Sequence, residues 1–199
     1  MFQNLSLFFQ ISTAVLSVVY LKRYANQPFY KFLVALLLLI ALVESIGTFV
    51  YSFKIDSYYL SYGFIAFQNL LALLLFRVLV GQRKILWLLW WAFLFVWLWY
   101  FEARAQITKP VIFGSLCIAV YALWYLRELL LSDKILVYKK MISFWVAVAF
   151  LIFHLSSVPF FSMVHYMQTR GLFFVLNVLI ILMNLLIIFG FVCSKKEKY

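Results

Sequence analysis

The sequence predicts an all-α polytopic membrane protein of seven transmembrane helices, with its N-terminus outside and its C-terminus cytoplasmic. Three observations carry this. First, 68% of the 199 residues are hydrophobic and 12% are charged, against about 45–50% and about 25% in soluble domains. Second, the apolar residues gather into seven stretches, about 3–21, 32–53, 58–79, 85–101, 110–131, 141–162 and 171–193, and ~20 apolar residues span a bilayer. Third, the charges collect in the short breaks. With the N-terminus outside, 13 of the 17 Lys and Arg fall on the inner side, as the positive-inside rule requires. An even number of helices would spoil that split. Seven helices consume ~140 residues, and the ~60 left over are too few for a soluble catalytic domain of typical size. A single membrane domain over residues 1–199 is expected. Soluble globular, disordered and coiled-coil classes are excluded.

Each stretch has its own justification. Residues 1–21 carry no charge. A secretory signal needs a basic start and a small-residue cleavage site, so this segment is expected to stay as the first helix. The second follows Pro28, which the first turn of a helix tolerates. Tyr58, Tyr59 and Tyr62 crowd the outer end of the third. The fourth has Trp87, Trp90 and Trp91 at one end and Trp97, Trp99 and Tyr100 at the other, the two headgroup levels that such rings prefer. Pro110 opens the fifth, and Arg104, Lys109 and Arg127 crowd the ends of the fourth and fifth. Pro159 is expected to kink or end the sixth, and Gly171 opens the seventh.

The formal charge of +11 would point to nucleic acid in a soluble protein; here the basic inner loops account for it, and no nucleic-acid partner is expected. Cys117 is placed in the outer half and Cys193 at the inner edge. Bridged cysteines need Cα atoms ~4.4–6.8 Å apart, so no disulfide between them is expected.

An internal repeat is one reading of the chain. A shift of 108 residues sets Tyr30 and Lys31 on Tyr138 and Lys139, Ala41 on Ala149, Gly63 on Gly171 and Asn69 on Asn177. Residues 1–79 and 110–193 would then be parallel triplets, with helix 85–101 as the linker. Parallel repeats occur in some transporters. Chance matches in a chain so rich in Leu, Phe and Val are the competing explanation.

Polar groups within the spans are the candidate site. Glu44 is the only acid well inside one, and an ionisable group at a helix centre costs at least ~2.5–3.5 kcal/mol to insert. At ~1.5 Å per residue, Glu44 and His154 both lie roughly 20 Å above the inner ends of their helices. Gln68, Asn69 and Asn177 fall in the same outer-half layer. Ser157 shares a face with His154 and Ser143. The candidate ligand-binding residues are Glu44, Gln68, Asn69, His154, Ser157 and Asn177. Small and polar residues on one face suit helix packing as well as a cavity. A purely structural Glu44, protonated and hydrogen-bonded to Gln68, Asn69 or His154, is the alternative.

Several chemistries lack their parts. His154 and His165 make no metal-ligand spacing, so no metal is expected. No Gly-rich phosphate loop or Gly-x-Ser-x-Gly elbow occurs. Asp56 and Asp133 fall in loops, and the seventh helix has no lysine for a retinal Schiff base. No cofactor is expected.

Two resemblances add to this. Ser143-Phe144-Trp145-Val146 with Phe150-Leu151-Ile152-Phe153, and Val175-Leu176-Asn177-Val178 through Asn184-Leu185-Leu186 to Gly190-Phe191, resemble small uncharacterised seven-helix membrane proteins of Bacteroidota. That family often has an acid where this chain has Gln68-Asn69. The resemblance implies a bacterial inner-membrane location and a link to sensor kinases, but no activity. The three-one-three layout, with Asn69 and Asn177 on the third and seventh helices, is similar to SWEET-type sugar transporters. Their Pro-Gln motif is missing; Asn26-Gln27-Pro28 is in a loop and in another order.

The leading expectation is a non-enzymatic inner-membrane sensing or adaptor module. It would bind a small apolar or lipid-like ligand in the outer half. Its signalling partner would meet the basic inner loops at Arg77, Arg83, Lys84, Lys139 and Lys140. A carrier or proton-coupled transporter using Glu44, Asn69 and Asn177 comes second. A lipid-modifying enzyme using Glu44 and His154 comes third.

Overall fold

The computed structural model describes residues 2–24, 26–52, 58–81, 83–102, 107–164 and 173–194. Among them the chain forms eight α-helices and a 3₁₀ helix, with no strand. The α-helices are α1 (Phe2–Val19), α2 (Leu21–Tyr24), α3 (Pro28–Ser52), α4 (Tyr58–Val80), α5 (Lys84–Glu102), α6 (Thr108–Leu130), α7 (Ile142–Met163) and α8 (Phe173–Cys193). The 3₁₀ helix, Asp133–Lys140, joins α6 to α7.

Six of these helices, α3 to α8, are long and apolar enough to cross a membrane, as in a multi-pass membrane protein. The first differs from the expectation of seven full spans. Its apolar part, Asn4–Val19, is shorter and carries Ser6, Gln10, Thr13 and Ser17. All four are buried, so α1 carries its polar face inward. Large apolar side chains cover the outside instead, among them Phe8, Phe49, Phe67, Phe95 and Trp99. A surface of that extent suits hydrocarbon, not water.

The long helices form a ring. α1 packs on α3, α3 on α4, α4 on α6, α6 on α7, α7 on α8, and α8 on α1 again. α5 stands outside it, against α4 and α6. The polypeptide leaves the ring after Val80 through Gly81, whose φ of 87° lies where a side chain would be strained. Packed helix axes stand 8–10 Å apart, so a six-membered ring sets opposite axes roughly 16–20 Å apart. The centre must be filled by large side chains or left open, and both occur.

One end of the bundle is filled. It holds the starts of α3, α5 and α7 and the ends of α1, α4, α6 and α8, with Arg23, Lys31, Arg77, Arg83, Lys84, Arg127, Lys139 and Lys140. Tyr24 and Tyr30 pack with ring centroids 4.9 Å apart, and Tyr30 meets Phe191 of α8 at 6.2 Å. The Tyr24 hydroxyl is hydrogen-bonded to the Ser194 hydroxyl, and the Tyr30 hydroxyl donates to the Ser17 carbonyl over 2.8 Å. Arg23 donates to the Ser194 carbonyl over 2.8 Å, which ties α2 to the end of α8. Across the ring, Phe76 packs against Tyr125 and Phe150 at 6.4 and 6.3 Å. The Tyr125 hydroxyl donates to Ser143 Oγ over 2.8 Å.

Two points concern helix limits. α7 runs through Pro159 to Met163, within one residue of the expected 141–162. With only four residues beyond the proline, the lost backbone hydrogen bond falls in the last turns of the helix. Residues 133–140, expected as a plain loop, wind into the 3₁₀ helix. Pro28 and Pro110 stand in the first turns of α3 and α6, as expected. Cys117 and Cys193 are free thiols. Gly171, His165, Asp56 and Arg104 lie outside the described residues.

Candidate functional site

Towards the other end the ring encloses a cavity of about 350 Å³. Every ring helix contributes to its wall and α5 does not. Because the helices alternate in direction, the wall draws on the middle of α3, the middle and later part of α7, and the earlier or middle part of α4, α6 and α8. The floor is Leu36, Ala72, Phe150 and Met183. Phe64, Phe153 and Phe161 give it aromatic sides.

Four of the six residues singled out in the sequence come together here: Glu44 from α3, Gln68 and Asn69 from α4, and His154 from α7. Their depths along the helices placed them in one layer, and their side chains share one cavity. Glu44 lines the cavity and is also exposed. Among the described residues, none is hydrogen-bonded to its carboxyl group.

His154 is buried, with rings Phe150 and Phe153 edge-on to its imidazole at 6.1 and 5.0 Å. Its Nδ1 lies 3.3 Å from Ser115 Oγ on α6, and that bond fixes the ring's orientation. No carboxylate among the described residues is hydrogen-bonded to the other ring nitrogen. The pair therefore lacks the third group that orients the base in a Ser-His-acid triad.

Asn69 is 3% exposed. Its Nδ2 donates to the Ile65 carbonyl one turn back over 3.1 Å. Its Oδ1 is buried without a hydrogen-bond partner, although buried polar atoms are nearly always paired. The amide is held from behind by Gly114 of α6. A Cβ at that position would stand 2.6 Å from Asn69 Nδ2 and 3.1 Å from Phe93 Cε2, so only glycine leaves room for it.

The other two residues do not line the cavity. The buried Ser157 hydroxyl donates to the His154 carbonyl over 2.9 Å. Asn177 Oδ1 accepts from Ser6 of α1 over 3.2 Å, so it joins α8 to α1. In their place the wall includes Gln10, Ser61 and Ser115. Gln10 had a signal, an amide in the middle of an apolar stretch. Ser115 had none, since a lone serine in a helix is commonplace and only its His154 partner marks it.

No group of three metal-ligating side chains occurs among the described residues. The basic residues expected to meet a partner lie at the filled end. Arg77 stacks over Trp87 at 5.2 Å, and Arg83 is 3.6 Å from Glu128. Lys84, Lys139 and Lys140 are exposed. Comparison with protein-family models, curated proteins and solved structures finds no match at the level of significance required.

Proposed function

We propose that this chain is a non-enzymatic sensing or adaptor module of a bacterial inner membrane, its seven apolar helices in the bilayer, its N-terminus outside and its basic end cytoplasmic. A small apolar or lipid-like ligand enters the cavity from the outer side. The bound ligand shifts the surrounding helices, and the shift reaches a signalling partner at Arg77, Arg83, Lys84, Lys139 and Lys140. The observation that carries this reading is the cavity at the end of the ring away from the basic residues. Exposed Glu44 lines it, and its deepest lining residues, Phe150 among them, meet the packed aromatic side chains of the basic end. Binding pockets of this kind are concave and mostly apolar, with a few converging polar groups.

Native mass spectrometry of the protein, released gently from its own membrane, tests the reading. The expected spectrum shows a bound small molecule that is missing from an Ile180→Trp variant, whose new side chain fills the cavity, together with a stoichiometric protein partner. A chain that carries neither overturns it.

A second reading, a small-solute or proton-coupled carrier, is favoured by the order of the ring. A shift of 108 residues maps α1, α3 and α4 onto α6, α7 and α8, and each lands three places round the ring, across the cavity from its counterpart. Carriers built from parallel repeats hold their site between the two halves. Ligand uptake into liposomes that is lost in Glu44→Gln would favour the carrier over the sensor.

A further inference from the structure

We infer that the ligand of the cavity is an organic cation: an ammonium group on an apolar body of roughly ten heavy atoms, drawn in by Glu44 and held by Asn69 and the aromatic walls. The inference rests on the pocket reading above and adds the chemical class of what fills it.

Three features point the same way. Two acceptors in the wall await a partner, beside the Gln10 and Gln68 amides, which carry donors as well. Asn69 Oδ1 is buried and unpaired, and no described residue is hydrogen-bonded to the Glu44 carboxyl. A carboxylate on an apolar helix is costly unless a positive charge or donors meet it. Among the described residues no Lys or Arg lines the cavity, so the described wall supplies no cation. An anionic ligand would meet Glu44 with like charge and find no basic side chain among them.

The second feature is aromatic. Phe64, Phe153 and Phe161 stand around the polar groups. Ring faces attract ammonium groups, most of all where water is excluded. The third is size. At about 30 Å³ per liquid water, the 350 Å³ cavity holds roughly ten to twelve heavy atoms. Its floor is apolar, which suits a short alkyl or aryl body beneath a charged head.

Three probes with one tail and different heads test this: n-octylammonium, n-octanol and n-octanoate. Each is titrated at neutral pH onto the full chain in zwitterionic nanodiscs. Uptake by Ile180→Trp nanodiscs is subtracted as membrane partition. The expected result is that octylammonium binds about tenfold tighter than octanoate, with octanol between them, the scale of one cation–π or charge-assisted contact. Glu44→Gln should remove most of that preference. This isosteric change keeps the test decisive if Ile180→Trp fails to fold. Octanol or octanoate binding as tightly as octylammonium would overturn the cation and leave the pocket standing. So would a preference that survives Glu44→Gln. Uptake of none of the three would overturn the cation and the pocket together.

Discussion

The two ends of the bundle solve one geometric problem differently. Six helices in a ring leave a central space wider than a packed pair needs. At the basic end the space is closed by Tyr24, Tyr30, Phe76, Tyr125 and Phe191, all buried. Their hydroxyls are satisfied locally: Tyr24 on Ser194, Tyr30 on Ser17, Tyr125 on Ser143. At the other end the ring surrounds a cavity. Its polar groups include an amide oxygen with no partner and a carboxyl to which no described residue is hydrogen-bonded. A filled end is built to hold its shape. Trp90 Nε1 and Tyr121 Oη are also buried without a partner and line no part of the cavity, so an unpaired atom marks a site only where, like Asn69 Oδ1, it faces open space.

The largest expected effect sets the two ends against each other. Phe76→Ala removes a fully buried ring between Tyr125 and Phe150 and should destabilise by ~3–5 kcal/mol. Phe161→Ala removes a half-buried ring that already faces the cavity and should cost under ~2 kcal/mol. Reversible unfolding in mixed micelles measures both. Equal losses would mean that the cavity end is as tightly packed as the basic end.

Next comes the close approach of α4 and α6. Gly114→Ala drives a methyl group towards Asn69 Nδ2 and Phe93. Overpacking of this sort costs ~1–3 kcal/mol, and it should also weaken ligand uptake by displacing the amide. Unchanged stability and uptake would show that Asn69 is free to shift, and that its unpaired oxygen is not held in place.

Asn69→Leu should have the smallest effect on stability and is the sharpest test of purpose. It removes one hydrogen bond to the Ile65 carbonyl and one unpaired acceptor. These oppose each other, so the change should stay within ~1 kcal/mol in either direction. Ligand uptake should fall even so. A large loss of stability with unaltered uptake would make Asn69 a structural residue of the α4–α6 contact.

Much of the site could be read in the sequence, and the exceptions are instructive. Glu44, Gln68, Asn69 and His154 stood out because polar groups inside apolar helices are rare, and helical rise fixed their depth. Depth does not give the direction in which a residue faces. Ser157 and Asn177 lie at suitable depths, but Ser157 bonds to its own helix and Asn177 to Ser6. The pairing of Asn69 with Asn177 under the 108-residue shift carries no matching role: one lines the cavity and the other joins α8 to α1. Gln10 belongs to the wall through the inward polar face of α1.

By itself the sequence determined that the chain is helical, where its long apolar helices lie to within a few residues, and that basic residues gather at one end. These follow from local quantities. Transfer free energy adds along a segment, and 1.5 Å of rise per residue turns a run of apolar residues into a length. Only the tertiary structure decided that α5 stands outside the ring, that α8 closes onto α1, and that the centre is filled at one end and open at the other. Helices clothed in Leu, Phe and Val offer one another nearly uniform surfaces. The choice of neighbours then rests on close steric fit and a few polar contacts, such as Gly114 against Asn69 and Arg23 on Ser194. Those contacts join residues far apart in the chain, and no local pattern records them.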